Sequence, residues 1–227
     1  MQFLPRVPKW VKFIVAVLLL PFCYGAARAL GRVFAASGNA DTIWVALTAG
    51  AVCWVVIYLL LPKPMWIYVF GHELTHALWA WLFGGDVKKF KVSSTGGHVV
   101  VTKTNFLIAL APYFFPIYVV AVVLVFLTGN LFWHWQSYAP GFHLLIGAAY
   151  AFHVTLTWHI LQTQQSDITG QGYLFSAVII YLGNITVLLI AVPLLAARVD
   201  VSAAGLWWWE YSRDAWLQLS HWSARWW

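Results

Sequence analysis

Charge is what this sequence has least of. Only 9% of its 227 residues are charged and 62% are hydrophobic, whereas a soluble domain is about a quarter charged. So little polar surface excludes a chain kept in water and points to one that mostly faces lipid. Acids are scarcer than bases, seven against thirteen, so the formal charge of +6 reflects missing carboxylates more than a basic patch. Lys and Arg sit near the ends of apolar segments, as residues that fix topology against anionic lipid do, and nothing in their placement implies nucleic acid. Cysteine is nearly absent: Cys23 and Cys53 both lie in apolar runs, with no CxxC and no disulfide framework. Repeats, low-complexity tracts and long linkers are missing too, which leaves one membrane-embedded domain over 1–227.

What is present is apolar length. A helix needs roughly 20 apolar residues to cross a bilayer, and six stretches supply about that: 10–31, 42–62, 65–83, 105–128, 142–162 and 172–197. The start, with Arg6, Lys9 and Lys12 before Phe13 to Cys23 and then small residues, has the outline of a secretory signal; an uncleaved first helix is the favoured reading. The stretch from Gly129 to Gly141 is a short uncharged loop. Between Gly84 and Thr104 the pattern becomes strand-like, with Val87 to Val92 and His98 to Thr102 flanking Thr95-Gly96-Gly97, which predicts a β-hairpin around a Gly-Gly turn. From Leu206 to Trp227 the chain carries Trp207, Trp208, Trp209, Trp216, Trp222, Trp226 and Trp227 among Glu210, Arg213, Asp214 and Arg225, the composition of an interfacial anchor. The expected fold is an all-α polytopic membrane protein of about six transmembrane helices. It has a short β-hairpin between the third and fourth, and a Trp-rich interfacial C-terminal helix.

Lys88, Lys89, Lys91 and Lys103 place the hairpin on the cytoplasmic side by the positive-inside rule. Six spans would then put the basic N-terminus outside, so the two counts of charge disagree; the hairpin inside is the favoured orientation.

The third span contains Gly71-His72-Glu73-Leu74-Thr75-His76. Residues four apart share a helix face, so two imidazoles can bind one zinc ion while Glu73 stands beside it as a general base. An acid at the centre of a membrane helix costs about 2.5–3.5 kcal/mol on insertion scales, and ionisable groups there mark functional sites. A catalytic zinc site usually has three protein ligands. Candidates for the third are Asp167, in the polar stretch Gln162 to Gln171, and His153 and His159 in the fifth span. His98 lies in the hairpin, and His134 and His143 flank the loop at the opposite side. His76 stands about eight residues before the hairpin, roughly 12 Å deep at 1.5 Å per residue; His159 is near that depth, whereas Asp167 must fold inward to reach it. The Phe and Tyr residues between Phe106 and Tyr118 read as packing.

Phe70 to Leu78, followed by Gly84-Gly85 and a hairpin, resembles the site-2 protease family of intramembrane metalloproteases, M50-type. The resemblance covers roughly residues 66–180 and is highly specific only at His72 to His76. It implies a metalloprotease core over 65–197 with two helices before it (1–64) and the tail (198–227) after it. It also implies zinc held by His72, His76 and Asp167, with Glu73 as the catalytic base. A membrane-protein or peptide substrate, a bilayer and a bacterial cytoplasmic membrane as setting follow from it as well. The chain departs from the family pattern in having Ser166-Asp167-Ile168-Thr169-Gly170 where Asp-Gly is usual, and Asn105 and Pro112 in place of an Asn-Pro element. It carries no inserted PDZ-like domain. Two other readings of the residues stand beside this one. A non-catalytic metal-binding scaffold would not need Glu73, and a di-iron hydroxylase or desaturase would need more correctly spaced histidines than His72 and His76. Substrate identity and oligomeric state are not legible.

Overall fold

The computed structural model describes residues 7–38, 41–93, 96–196 and 198–223. Arg6, Thr95, Arg225, Trp226 and Trp227, all used above, lie outside them. The elements are α1 (Lys9–Ala36), α2 (Asp41–Leu60), α3 (Met65–Leu82), β1 (Val87–Ser93), β2 (Gly96–Val101), α4 (Phe106–Leu110), a 3-10 turn (Ala111–Tyr113), α5 (Ile117–Trp133), a second 3-10 turn (Trp135–Tyr138), α6 (Ala139–Leu161), α7 (Ser166–Gln171), α8 (Tyr173–Ala196) and α9 (Val201–Ser223). Among the described residues four helices are long and apolar enough to cross a membrane: 9–36, 42–60, 135–161 and 173–196. A fifth span results if the bent pair Phe106–Tyr113 and Ile117–Trp133 counts as one. α3 is not among them, because its 18 residues include two His and a Glu.

Residues 41–167 form one compact unit. Within it α3 starts after the Pro62-Lys63-Pro64 break and stops in a Schellman motif. Gly84 takes φ 68°, its N–H bonds the Trp81 carbonyl, and the Gly85 N–H bonds that of Ala80. Only glycine adopts this left-handed C′ position without penalty, so Gly84 turns the chain directly into the hairpin. Tyr68 and Val69 on α3 pack with Phe152 and Leu156 on α6, and Trp54 of α2 donates to the Thr155 hydroxyl at 2.8 Å.

The hairpin is antiparallel, with Phe90 opposite Val99 and Lys91 opposite His98. Gly96 and Gly97 pair with Ser93 and Val92, so both belong to the ladder and not to the turn expected of them. The span expected over 105–128 is also corrected: it bends by 77° between Tyr113 and Ile117. Pro116 supplies no N–H to continue the ladder, and its ring keeps Phe115 out of the helical region. The loop expected over 129–141 shrinks to 134–138, since α5 runs on to Trp133 and α6 begins at Ala139. His134 takes the left-handed conformation there, at φ 54°.

Residues up to 40 and from 168 onward form the second unit, in which α1 packs with α8 and α9. Not every Trp of α9 faces outward: Trp208 donates from its indole to the Phe22 carbonyl at 2.9 Å, and Arg32 lies 4.2 Å over the Trp207 ring. Trp209 and Trp222 are exposed.

Candidate metal centre

On α3, His72 and His76 stand one turn apart with ring centroids separated by 4.9 Å, and both side chains are about nine-tenths buried. Asp167 reaches them from the first turn of α7. Its Oδ2 lies 3.6 Å from Nε2 of His72 and 3.5 Å from Nε2 of His76, and donor atoms of all three lie within 4.8 Å of one another. Two donors each about 2.0–2.1 Å from a tetrahedral zinc stand roughly 3.3–3.4 Å apart, and both carboxylate-to-imidazole distances are close to that.

A second observation fits the donor set to a metal. Nδ1 of His76 is 2.8 Å from the Ile108 carbonyl oxygen. A carbonyl only accepts, so Nδ1 carries the proton and the Nε2 lone pair is left facing Asp167; this is how metal-binding histidines are ordinarily held. Ile108 is in turn fixed by Asn105, whose side chain accepts from the Ile108 N–H at 2.8 Å as the N-cap of α4. Tyr113 donates its hydroxyl to Asp167 Oδ2 at 3.2 Å and sets its ring edge-to-face on His72 at 5.3 Å. Burial pushes the Asp167 carboxyl up, but the imidazoles of His72 and His76 more than offset this and hold it well below the usual carboxylate range.

Glu73 is buried and its carboxyl is met by the backbone of Val99 on β2. A Cβ at Gly97 would stand 2.8 Å from Glu73 Cγ and 2.9 Å from the Lys91 carbonyl oxygen, so only glycine lets the strand lie this close to the acid. Glu73, the two imidazoles and Asp167 line a cleft of about 330 Å³ whose other wall includes Gly97, Val99 and Val101 of β2.

After Leu161 the chain turns back, the Thr163 hydroxyl and the Gln165 amide both donating to the Ile160 carbonyl, and α7 then brings Asp167 to the imidazoles. His159 is half-buried and, like His153, His98, His134 and His143, is not in the donor cluster found among the described residues. Sequence reasoning overlooked the Ile108 carbonyl, which has no side-chain signature, and took Tyr113 for packing alone. That tyrosine is fully buried, yet it also bonds Asp167.

An imidazole pair and a carboxylate converging beside a helix-borne glutamate is the donor set of metal-dependent hydrolases. The chain belongs to the Peptidase M50B-like family, which matches residues 43–210. With its apolar helices, this makes it an integral membrane protein of a peptidase family. No curated protein and no solved structure matches it.

Proposed function

We propose that this chain is a zinc-dependent intramembrane endopeptidase that hydrolyses peptide bonds in or near the transmembrane segments of membrane proteins. The observation that carries the reading is the approach of Asp167 Oδ2 to both imidazole Nε2 atoms beside Glu73. In this reading His72, His76 and Asp167 hold the ion, and His159 and His153 do not. Bound zinc supplies Lewis acidity, polarising the scissile carbonyl and lowering the pKa of water. Glu73 takes a proton from the attacking water and passes it to the leaving amine. Its burial against β2 keeps the carboxyl aimed into the cleft, and Tyr113 restrains Asp167.

A helical substrate buries its scissile amide in hydrogen bonds, so it must be extended before it is cut. The hairpin beside the cleft supports binding of that extended segment by strand addition. α3 completes the six spans of this architecture in spite of its polar residues, and α9 anchors the chain at the interface. The setting is a bacterial cytoplasmic membrane with the hairpin and centre toward the cytoplasm.

The test is a set of purified variants assayed for zinc content and for cleavage of a transmembrane peptide. Glu73→Gln should retain zinc and lose cleavage by at least about a hundredfold; undiminished turnover would sink the mechanism. His72→Ala with His76→Ala should abolish zinc binding. Asp167→Ala should weaken it where His159→Ala does not, and the reverse result would reassign the third ligand.

A further inference from the structure

His72 and His76 are supported differently. His76 gives its Nδ1 proton to the Ile108 carbonyl, whereas Nδ1 of His72 is buried with no partner. An imidazole that offers one nitrogen to a metal ordinarily donates from the other to a carboxylate, a carbonyl or water. His153 Nε2 nearby shares its condition, and the buried Tyr68 and Thr157 hydroxyls have at most each other. Such atoms are few in native proteins, and each one calls for an explanation, the more so within a bilayer.

These four side chains are two pairs. Tyr68 and His72 are one turn apart on α3, with ring centroids 5.9 Å apart, and His153 and Thr157 are one turn apart on α6. The helices meet here, since Tyr68 belongs to the same core cluster as Phe152 and Leu156. The Tyr68 hydroxyl lies toward that of Thr157, and Tyr68, His72 and His153 line one small cavity. That cavity measures about 10 Å³, the space of a single water molecule. His153 is 7% exposed, lines this water-sized space and is close enough to His72 to feel its charge.

We propose that Tyr68, His72 and His153 form a buried site for one ordered water, which accepts from His72 Nδ1–H and is held on its far side by His153. His153 is then a positioning residue for His72. Through the water it keeps the Nδ1–H tautomer and leaves the Nε2 lone pair turned toward Asp167, as the Ile108 carbonyl does for His76. This gives a role to a buried membrane histidine that stands outside the donor cluster. The inference rests on the zinc reading above.

The test compares His153→Phe with His153→Gln in the full-length protein. It reads zinc content, the half-time of zinc loss to a chelator, the cobalt(II)-substituted absorption spectrum and the melting of the metal-free protein. Phe fills the site without a polar atom and should shorten the half-time at least about tenfold, shift the cobalt bands and leave metal-free melting unchanged. Gln can still anchor the water and should stay within about twofold of wild type, with its range set by the same supporting-shell effect. Zinc retention by His153→Phe equal to wild type overturns the proposal, and so does equal impairment by Phe and Gln, which marks a packing role. If His153→Phe does not fold, Tyr68→Phe removes one hydroxyl from the same site and is read in its place: faster zinc loss supports the proposal and unchanged loss overturns it. Wild-type protein that binds no zinc fails the proposed function and this inference with it. Zinc-loaded wild type alongside an indifferent His153→Phe fails this inference alone.

Discussion

At the scale of residues, His76 is oriented by a chain of two hydrogen bonds that begins at Asn105. The Asn105 side chain caps α4 at the Ile108 N–H, and the Ile108 carbonyl accepts from His76 Nδ1. Asn105→Ala should therefore act twice. It removes a cap worth about 1 kcal/mol, and it loosens the carbonyl that sets the His76 tautomer, lowering zinc affinity roughly tenfold. Asn105→Asp, which keeps the acceptor, should hold zinc nearly as well as wild type. Chelator competition measures both, and an Asn105→Ala protein with wild-type zinc affinity would remove Asn105 from the support of the site. The sequence made His72, Glu73 and His76 legible because four-residue spacing on a helix defines a face without any tertiary knowledge. Asp167 was not legible on the same ground: its place depends on the turn after Leu161 and on α7, and depth counted along straight spans favoured His159. Asn105 is legible only as a departure from a motif, since its role passes through a backbone carbonyl.

At the scale of elements, two features place the protein around the cleft, and each departs from regular structure. The break at Pro116 turns 105–133 from one span into a short helix and a long one, which allows Ile108 and Tyr113 to reach the imidazoles. Length and hydropathy alone make this stretch look continuous, and Pro112 and Pro116 do not by themselves say where it bends. The hairpin was legible from its β-prone runs; its register was not, because Gly96-Gly97 has the look of a turn while serving close approach. Gly97→Val should press the strand away from Glu73, since a bare Cβ there would stand only 2.8 Å from Glu73 Cγ. Zinc content should be unchanged, because the three donors come from α3 and α7, while cleavage falls by at least about tenfold as Glu73 and the strand lose their mutual placement. Equal loss of zinc and cleavage would mean that the hairpin supports the donors as well, and unaltered cleavage would separate it from the chemistry.

At the scale of the whole molecule, the conflict between the two charge counts weakens once α1 is seen as a helix. Lys9 and Lys12 stand near its start and Arg28 and Arg32 near its end, so the described basic residues of α1 are balanced across the span. Arg28 is packed over the Tyr24 and Tyr211 rings and Arg32 over Trp207. The hairpin shows no such balance: Lys88, Lys89 and Lys91 are all exposed on one short strand, and Lys in a short loop favours the cytoplasmic side. If α1, α2 and α3 all cross, as proposed, three spans separate Lys9 from the hairpin and the two are expected on opposite sides. In a background with Cys23 and Cys53 replaced by Ala, Lys89→Cys should react with a membrane-impermeant maleimide only when the cytoplasmic face is open to the reagent. Lys9→Cys should react only from the other face. Labelling of both from one face would mean that α3 or α1 does not cross, and labelling of position 89 from outside would invert the orientation of the centre.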